Sequence, residues 1–128
     1  MDTRSKIIDL EAAAGIAAGL RRGGARIRLA AGYFDVLTPD LVRRLRSLAG
    51  GGTLFAAVLD PANPLLGARA RAELAAGLHM VDYVFPIAGR DLDGAIEKIG
   101  PDEVIREEAA DVRRSRGLIE HVHGRQRA

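Results

Sequence analysis

The sequence predicts an α/β protein built on a small parallel sheet, and three observations carry that reading. Some segments repeat apolar residues at helical spacing, while others run apolar without a break over the length of a strand. The two kinds alternate, with a strand roughly every 20 to 30 residues. Glycines and prolines stand at most of the changeovers, where the chain must turn.

The elements follow in order. Residues 9–22 read as a helix: Leu10, Ala13, Ala14, Ala17 and Leu20 share a face, Asp9 can cap the start, and Gly23-Gly24 ends it. The run ARIRLAAG alternates Ile27 and Leu29 with Arg26 and Arg28 before turning wholly apolar, as a strand does when it enters a core from a solvated end. Thr38 or Asp40 can cap the next helix with Pro39 in its first turn; Val42, Leu45 and Leu48 or Ala49 form its apolar face, and Gly50-Gly51-Gly52 stops it. TLFAAVLD is a continuous apolar run suited to a strand buried on both faces. PANPLLG is a loop, residues 68–79 a helix, and VDYVFPI a third strand ending at Pro86. Asp91 to Ile99 make a short helix, DEVIRE a fourth strand, and Ser115 to His123 a last helix.

Strands alternating with helices imply right-handed crossovers and a three-layer α/β/α, Rossmann-like arrangement with about four strands. Ligands of such sheets bind outside the carboxyl ends of the strands, at the point where strand order reverses. The stretch GYFDVLTPDL, residues 32–41, is expected at that end of the first strand.

The bulk properties narrow the function classes. A chain of 128 residues fits one domain, with a helix through residue 23 and an α/β core over 24–128. There is no cysteine, hence no disulfide and no thiolate metal site, which suits a reducing cytoplasm. The start, MDTRSKIIDLEAAAG, lacks the apolar stretch of a signal peptide, and no run is long enough to span a membrane. A formal charge of +2 and few aromatic residues argue against nucleic acid as a partner. Arginines nevertheless cluster at Arg21-Arg22, Arg43-Arg44-Arg46 and Arg113-Arg114-Arg116, where a solvated helix face and a phosphate-binding face are the two readings. His121 and His123 are two apart, so on a helix they diverge, and no metal site is expected.

Several segments together resemble the cytidylyltransferase-like nucleotidyltransferases, especially the bacterial heptose-phosphate adenylyltransferase branch. That branch opens with a helix, a basic turn and a strand before a G-[CTY]-F-D-x-L-H-x-G-H signature, and Gly32, Phe34, Asp35 and Leu37 match it in register. RAELAAGLHMVDYVFP resembles the segment in which an arginine-bearing helix leads to a V-D-Y-V strand, through Arg71, Asp82 and Tyr83. IEKIGPDEVI resembles the helix and P-D turn before the next strand, and RGLIEHV the closing helix.

The resemblance implies a nucleotidyltransferase fold and a nucleotide or sugar-phosphate site that includes Gly32, Tyr33, Phe34, Asp35, Thr38 and Arg71, with Arg114, Ser115 and Arg116 before the last helix. It also implies transfer without a covalent intermediate, through positioned donors aimed at the transition state. No cofactor is implied beyond the magnesium that would accompany a bound nucleoside triphosphate.

The sequence departs from the family at the catalytic positions. Thr38 stands at the first histidine of H-x-G-H, Asp40 at the glycine and Leu41 at the second histidine. Leu66 stands where a loop lysine is expected, and REEAAD where a glycine-rich segment should follow the fourth strand. Losing one preorganised donor costs about 2.7 to 4 kcal/mol of transition-state stabilisation, so the resemblance implies a shortened and degenerate member, a pseudoenzyme that keeps a binding or regulatory role. Two alternatives stand beside it: an active enzyme in which arginines replace the histidines, and a homodimeric interaction module without a small ligand.

Overall fold

The computed structural model describes residues 2–61 and 64–107. Four helices, α1 (Leu10–Arg22), α2 (Pro39–Ala49), α3 (Ala68–Ala76) and α4 (Leu92–Ile99), alternate with four strands, β1 (Ile27–Gly32), β2 (Thr53–Val58), β3 (Tyr83–Pro86) and β4 (Glu103–Arg106). The closing helix expected at Ser115 to His123 lies outside the described residues. Among the described residues, no helix is long and apolar enough to cross a membrane.

The strands form one parallel sheet in the order β3-β2-β1-β4. From β1 the chain steps outward to β2 and β3, then crosses back to place β4 on the far side of β1. That reversal puts the topological switch point between β1 and β4, so the crevice of this sheet opens above their carboxyl ends.

Two apolar layers flank the sheet, divided by the alternation of side chains along each strand. Ile27, Leu29, Ala31, Phe55, Ala57 and Phe85 face Ala13 and Ala17 of α1 and Leu92, Ala95 and Ile99 of α4. Ala30, Leu54, Ala56, Val58 and Val84 face Leu41, Leu45 and Leu48 of α2 and Ala72, Ala75 and Ala76 of α3. This is the three-layer α/β/α architecture, and the alanines of the two central strands let the helices lie close. Truncating a buried leucine such as Leu45 in this setting costs about 2–5 kcal/mol.

Local chemistry sets the element ends. Asp9 caps α1 by accepting from the Ala12 amide at 2.7 Å. The end of α4 is set by Gly100 at φ 62°, a left-handed C-cap against which the Arg21 guanidinium packs, donating to the carbonyls of Ile99 and Gly100. A β-carbon at Gly100 would stand 2.5 Å from an Arg21 nitrogen, so glycine is needed for the contact as well as for the turn. Asp82 and Asp102, which immediately precede β3 and β4, each accept a 2.8 Å hydrogen bond from an amide of the neighbouring strand, Leu54 and Ile27 respectively.

One feature has no precursor in the sequence reading. Residues Thr3–Lys6 form a 3-10 turn, after which Ile7 bridges Val84 and the Ile8 amide donates to the Val84 carbonyl at 2.8 Å. The N-terminal segment thereby covers the outer edge of β3, which would otherwise present unpaired backbone groups.

Candidate functional site

The crevice over β1 is bounded by the turn that follows the strand, the start of α2, the loop after β2 and the end of β4. β1 runs to Gly32, whose carbonyl accepts from the Leu59 amide at 2.9 Å. Phe34 then takes a left-handed conformation, φ 54°, uncommon for a residue with a side chain. Burial of its ring in the layer under α2 and α3 offsets the cost, and the sharp turn aims Asp35 across at the loop after β2.

There the Asp35 carboxylate is buried and accepts from the amides of Leu65 at 2.6 Å and Leu66 at 2.7 Å. Arg71 completes the connection from α3. It is 2% exposed, and its guanidinium donates to the carbonyls of Leu66 at 3.1 Å, Tyr33 at 3.3 Å and Leu59, and to the Asp60 carboxylate at 2.7 Å. Both charged groups thus hold the two carboxyl-terminal loops together, and the donors of Arg71 are engaged by the protein itself.

The start of α2 is closed in a similar way. Thr38 is the N-cap: its Oγ1 accepts from the Leu41 amide at 3.1 Å and its carbonyl from the Val42 amide at 3.1 Å, while Pro39 has no amide hydrogen to offer. Leu41 is 1% exposed and points into the core beneath α2, not into the crevice. Leu66, by contrast, lies at the surface, 37% exposed. Asp40 is exposed and pairs with Arg44 one turn further on, and more loosely with Arg43 at 3.8 Å.

Arg44 also spans the switch point. Its Nε donates to Glu107 Oε1 at 2.8 Å and its Nη2 to Oε2 at 2.9 Å, a two-pronged bridge between α2 and the residue that follows β4. Glu107 is 5% exposed, and its amide donates to the Ala31 carbonyl at 2.6 Å. Hydrogen bonding to Glu107 raises the pKa of Arg44, outweighing the cost of its partial burial, and Asp40 adds to the effect.

The i,i+4 spacing of Asp40 and Arg44 was visible in the sequence, whereas nothing local marks a pair 63 residues apart. Gly32, Tyr33, Phe34, Asp35, Thr38 and Arg71 therefore gather around one turn, as the sequence order suggested, with Asp40 and Leu41 following in α2. Arg114, Ser115 and Arg116 lie outside the described residues.

A solved structure, the lipopolysaccharide core biosynthesis protein from Thermoplasma volcanium GSS1, superposes with a TM-score of 0.58 over 63% of this chain and 73% of its own, at 21% identity. The likeness is one of fold. No family model matches the chain, and no curated protein matches it. Together with the strand order, the superposition establishes the chain as a Rossmann-like α/β protein.

Among the described residues, the charges at the start of α2 are paired within the protein. Asp40 carries a negative charge at the amino end of α2, where an anionic ligand would approach. Arg44, a cation beside it, is committed to two carboxylates.

Proposed function

We propose that this chain is a nucleotidyltransferase-fold pseudoenzyme: it keeps the scaffold of nucleotide transfer, lacks the catalytic donors, and retains a binding or regulatory role toward nucleotides or sugar phosphates. The observation that carries this reading is the state of α2's first turn, where Thr38 spends its hydroxyl as a cap and Leu41 is part of the core. The fold of a lipopolysaccharide core biosynthesis protein, and the family signature that residues 32–37 resemble, support the scaffold half.

Two missing donors at about 2.7–4 kcal/mol each correspond to a loss on the order of 10⁴-fold or more in rate. Pyrophosphate release from ATP or CTP in the presence of sugar phosphates is therefore expected at background level. The doubly substituted Thr38→His, Leu41→His chain should not recover it, because the second imidazole would enter the core and destabilise the fold by about 2–5 kcal/mol. Turnover well above background by the unsubstituted protein would overturn the proposal.

A further inference from the structure

The two edges of the sheet are finished differently. At β3 the apolar residues Val84 and Phe85 are fully buried, and Ile7 and the Ile8 amide lie along the outer side of the strand. At β4 the apolar residues Val104 and Ile105 are only half-buried, one on each face of the sheet, and among the described residues the strand pairs with β1 alone. An edge of this kind is a template for another strand.

Backbone alternation fixes which groups such a strand would meet. The Glu107 amide donates inward, to the Ala31 carbonyl. Successive residues of a strand turn their backbone groups to opposite sides, so those of Ile105 also face β1 while those of Val104 face outward. Side chains alternate between the two faces of the sheet. Val104 lies on the α1 and α4 face, and so does Arg106, whose guanidinium is 3.5 Å from Asp93 of α4. Asp102, two residues before Val104, belongs by the same period to that face, and Ile105 lies on the other.

With the β3 edge covered, the edge left to two copies of this chain is β4, and two identical edges meet antiparallel about a two-fold axis. Outward-facing residues must then oppose outward-facing residues, which requires the axis to pass through a residue and not between two. Charge selects which residue. An axis through Asp102, Glu103 or Arg106 opposes that charge to its own copy, and an axis through Ile105 opposes Glu103 to Glu107. An axis through Val104 opposes Asp102 to Arg106, Glu103 to Ile105 and Val104 to itself, with no like charges across from one another.

We propose that this chain forms a two-fold dimer through β4 with the axis at Val104, so that one sheet runs through both copies. Val104 of each copy exchanges amide-to-carbonyl hydrogen bonds with Val104 of the other. Arg106 of each meets Asp102 of the other while keeping Asp93 of its own α4 beside it. Asp102 already accepts from the Ile27 amide through Oδ2 at 2.8 Å, and its Oδ1 takes the arginine. The half-buried Val104 and Ile105 gain the cover that Ile7 and Ile8 give β3. This assigns a surface, a symmetry and a register to the homodimer expected from the sequence, and it is independent of what the crevice over β1 binds.

Light scattering on the full chain over a concentration series should give twice the 13.6 kDa of one chain, falling toward the single mass on dilution. Val104→Pro removes an outward amide without touching a hydrogen bond to β1, and Arg106→Glu sets a negative charge against Asp102; each should raise the dimer Kd about tenfold or more. Arg106→Glu alters an exposed position, so it keeps the test decisive where the proline unfolds the strand, and high salt should restore part of its loss. The register has its own readout, since the chain holds no cysteine. Glu103 and Ile105 of opposite copies form a pair outside the hydrogen bonds, with α-carbons about 4.5 Å apart and within disulfide reach. An oxidised mixture of Glu103→Cys and Ile105→Cys chains should therefore give a covalent dimer that neither variant gives alone. A monomer at millimolar concentration, its β4 edge covered from within its own chain, would overturn the proposal. So would a dimer unmoved by Val104→Pro and Arg106→Glu, or a disulfide formed by either cysteine variant alone as readily as by the mixture. None of these outcomes bears on the pyrophosphate assay.

Discussion

Arg71 sends its donors to the oxygens of Tyr33, Leu59, Leu66 and Asp60, so one side chain joins the ends of β1 and β2 to the loop between β2 and α3. Asp35 answers from the other direction by accepting two amides of that loop. The resemblance to a nucleotide-binding family makes both residues ligand candidates, and the structure shows what they do for the protein itself. Removing Arg71 would leave three carbonyls without their donor in a largely water-excluded place. Arg71→Ala is expected to lower the unfolding free energy by about 3 kcal/mol or more in urea titrations. Arg71→Lys should recover part of that loss, since one ammonium cannot reach four oxygens in a guanidinium's geometry. A loss below about 0.5 kcal/mol for the alanine variant would show that the loops are held by other means.

Between elements, the decisive contact is the bridge from α2 to the end of β4. Arg44 and Glu107 meet fork to fork, and Asp40 holds the same guanidinium from within the helix. The side chain of Arg44 is 36% exposed, so solvent screens part of the attraction and the pair is worth only about 1 kcal/mol despite its geometry. A double-mutant cycle with Arg44→Gln and Glu107→Gln should return a coupling of that size, shrinking in concentrated salt. A coupling near zero at low salt would mean the bridge does not hold the crevice. The pKa of Arg44 is raised in the folded state, so its contribution is fully present below the unfolded value and is lost only as pH climbs through the folded one. Both values lie above ordinary buffers, so alkaline titration up to about pH 10 should leave this contribution unchanged.

Across the whole molecule, the sheet has two edges managed in different ways. The β3 edge is covered by Ile7 and Ile8 through a parallel bridge and a 2.8 Å hydrogen bond to Val84. Deleting residues 2–8 should expose that edge, lower the melting temperature and promote self-association, which light scattering on the truncated chain would detect. A truncated chain that associates no further than the parent and melts like it would remove the segment from any role in guarding the edge. β4 pairs with β1 alone among the described residues, so light scattering on the full chain also tests the homodimer expected from the sequence.

Among the described residues, the sequence by itself determined the order and type of the helices and strands, because each depends on periodicity, caps and glycine stops within a few residues of one another. Asp9, Thr38 and the glycines after α1 and α2 are local signals with local effects, and the boundaries they imply fall within a few residues of those observed. Alternation of strand and helix likewise implied the parallel sheet and the place of its crevice. Tertiary structure alone decided what fills that place. Whether an arginine waits for an anion or is engaged by a carboxylate depends on partners far along the chain, 63 residues away for Arg44 and Glu107, and on which backbone oxygens surround it, as for Arg71. Pairing energies are set by distance and burial in space, and neither is carried by spacing in sequence.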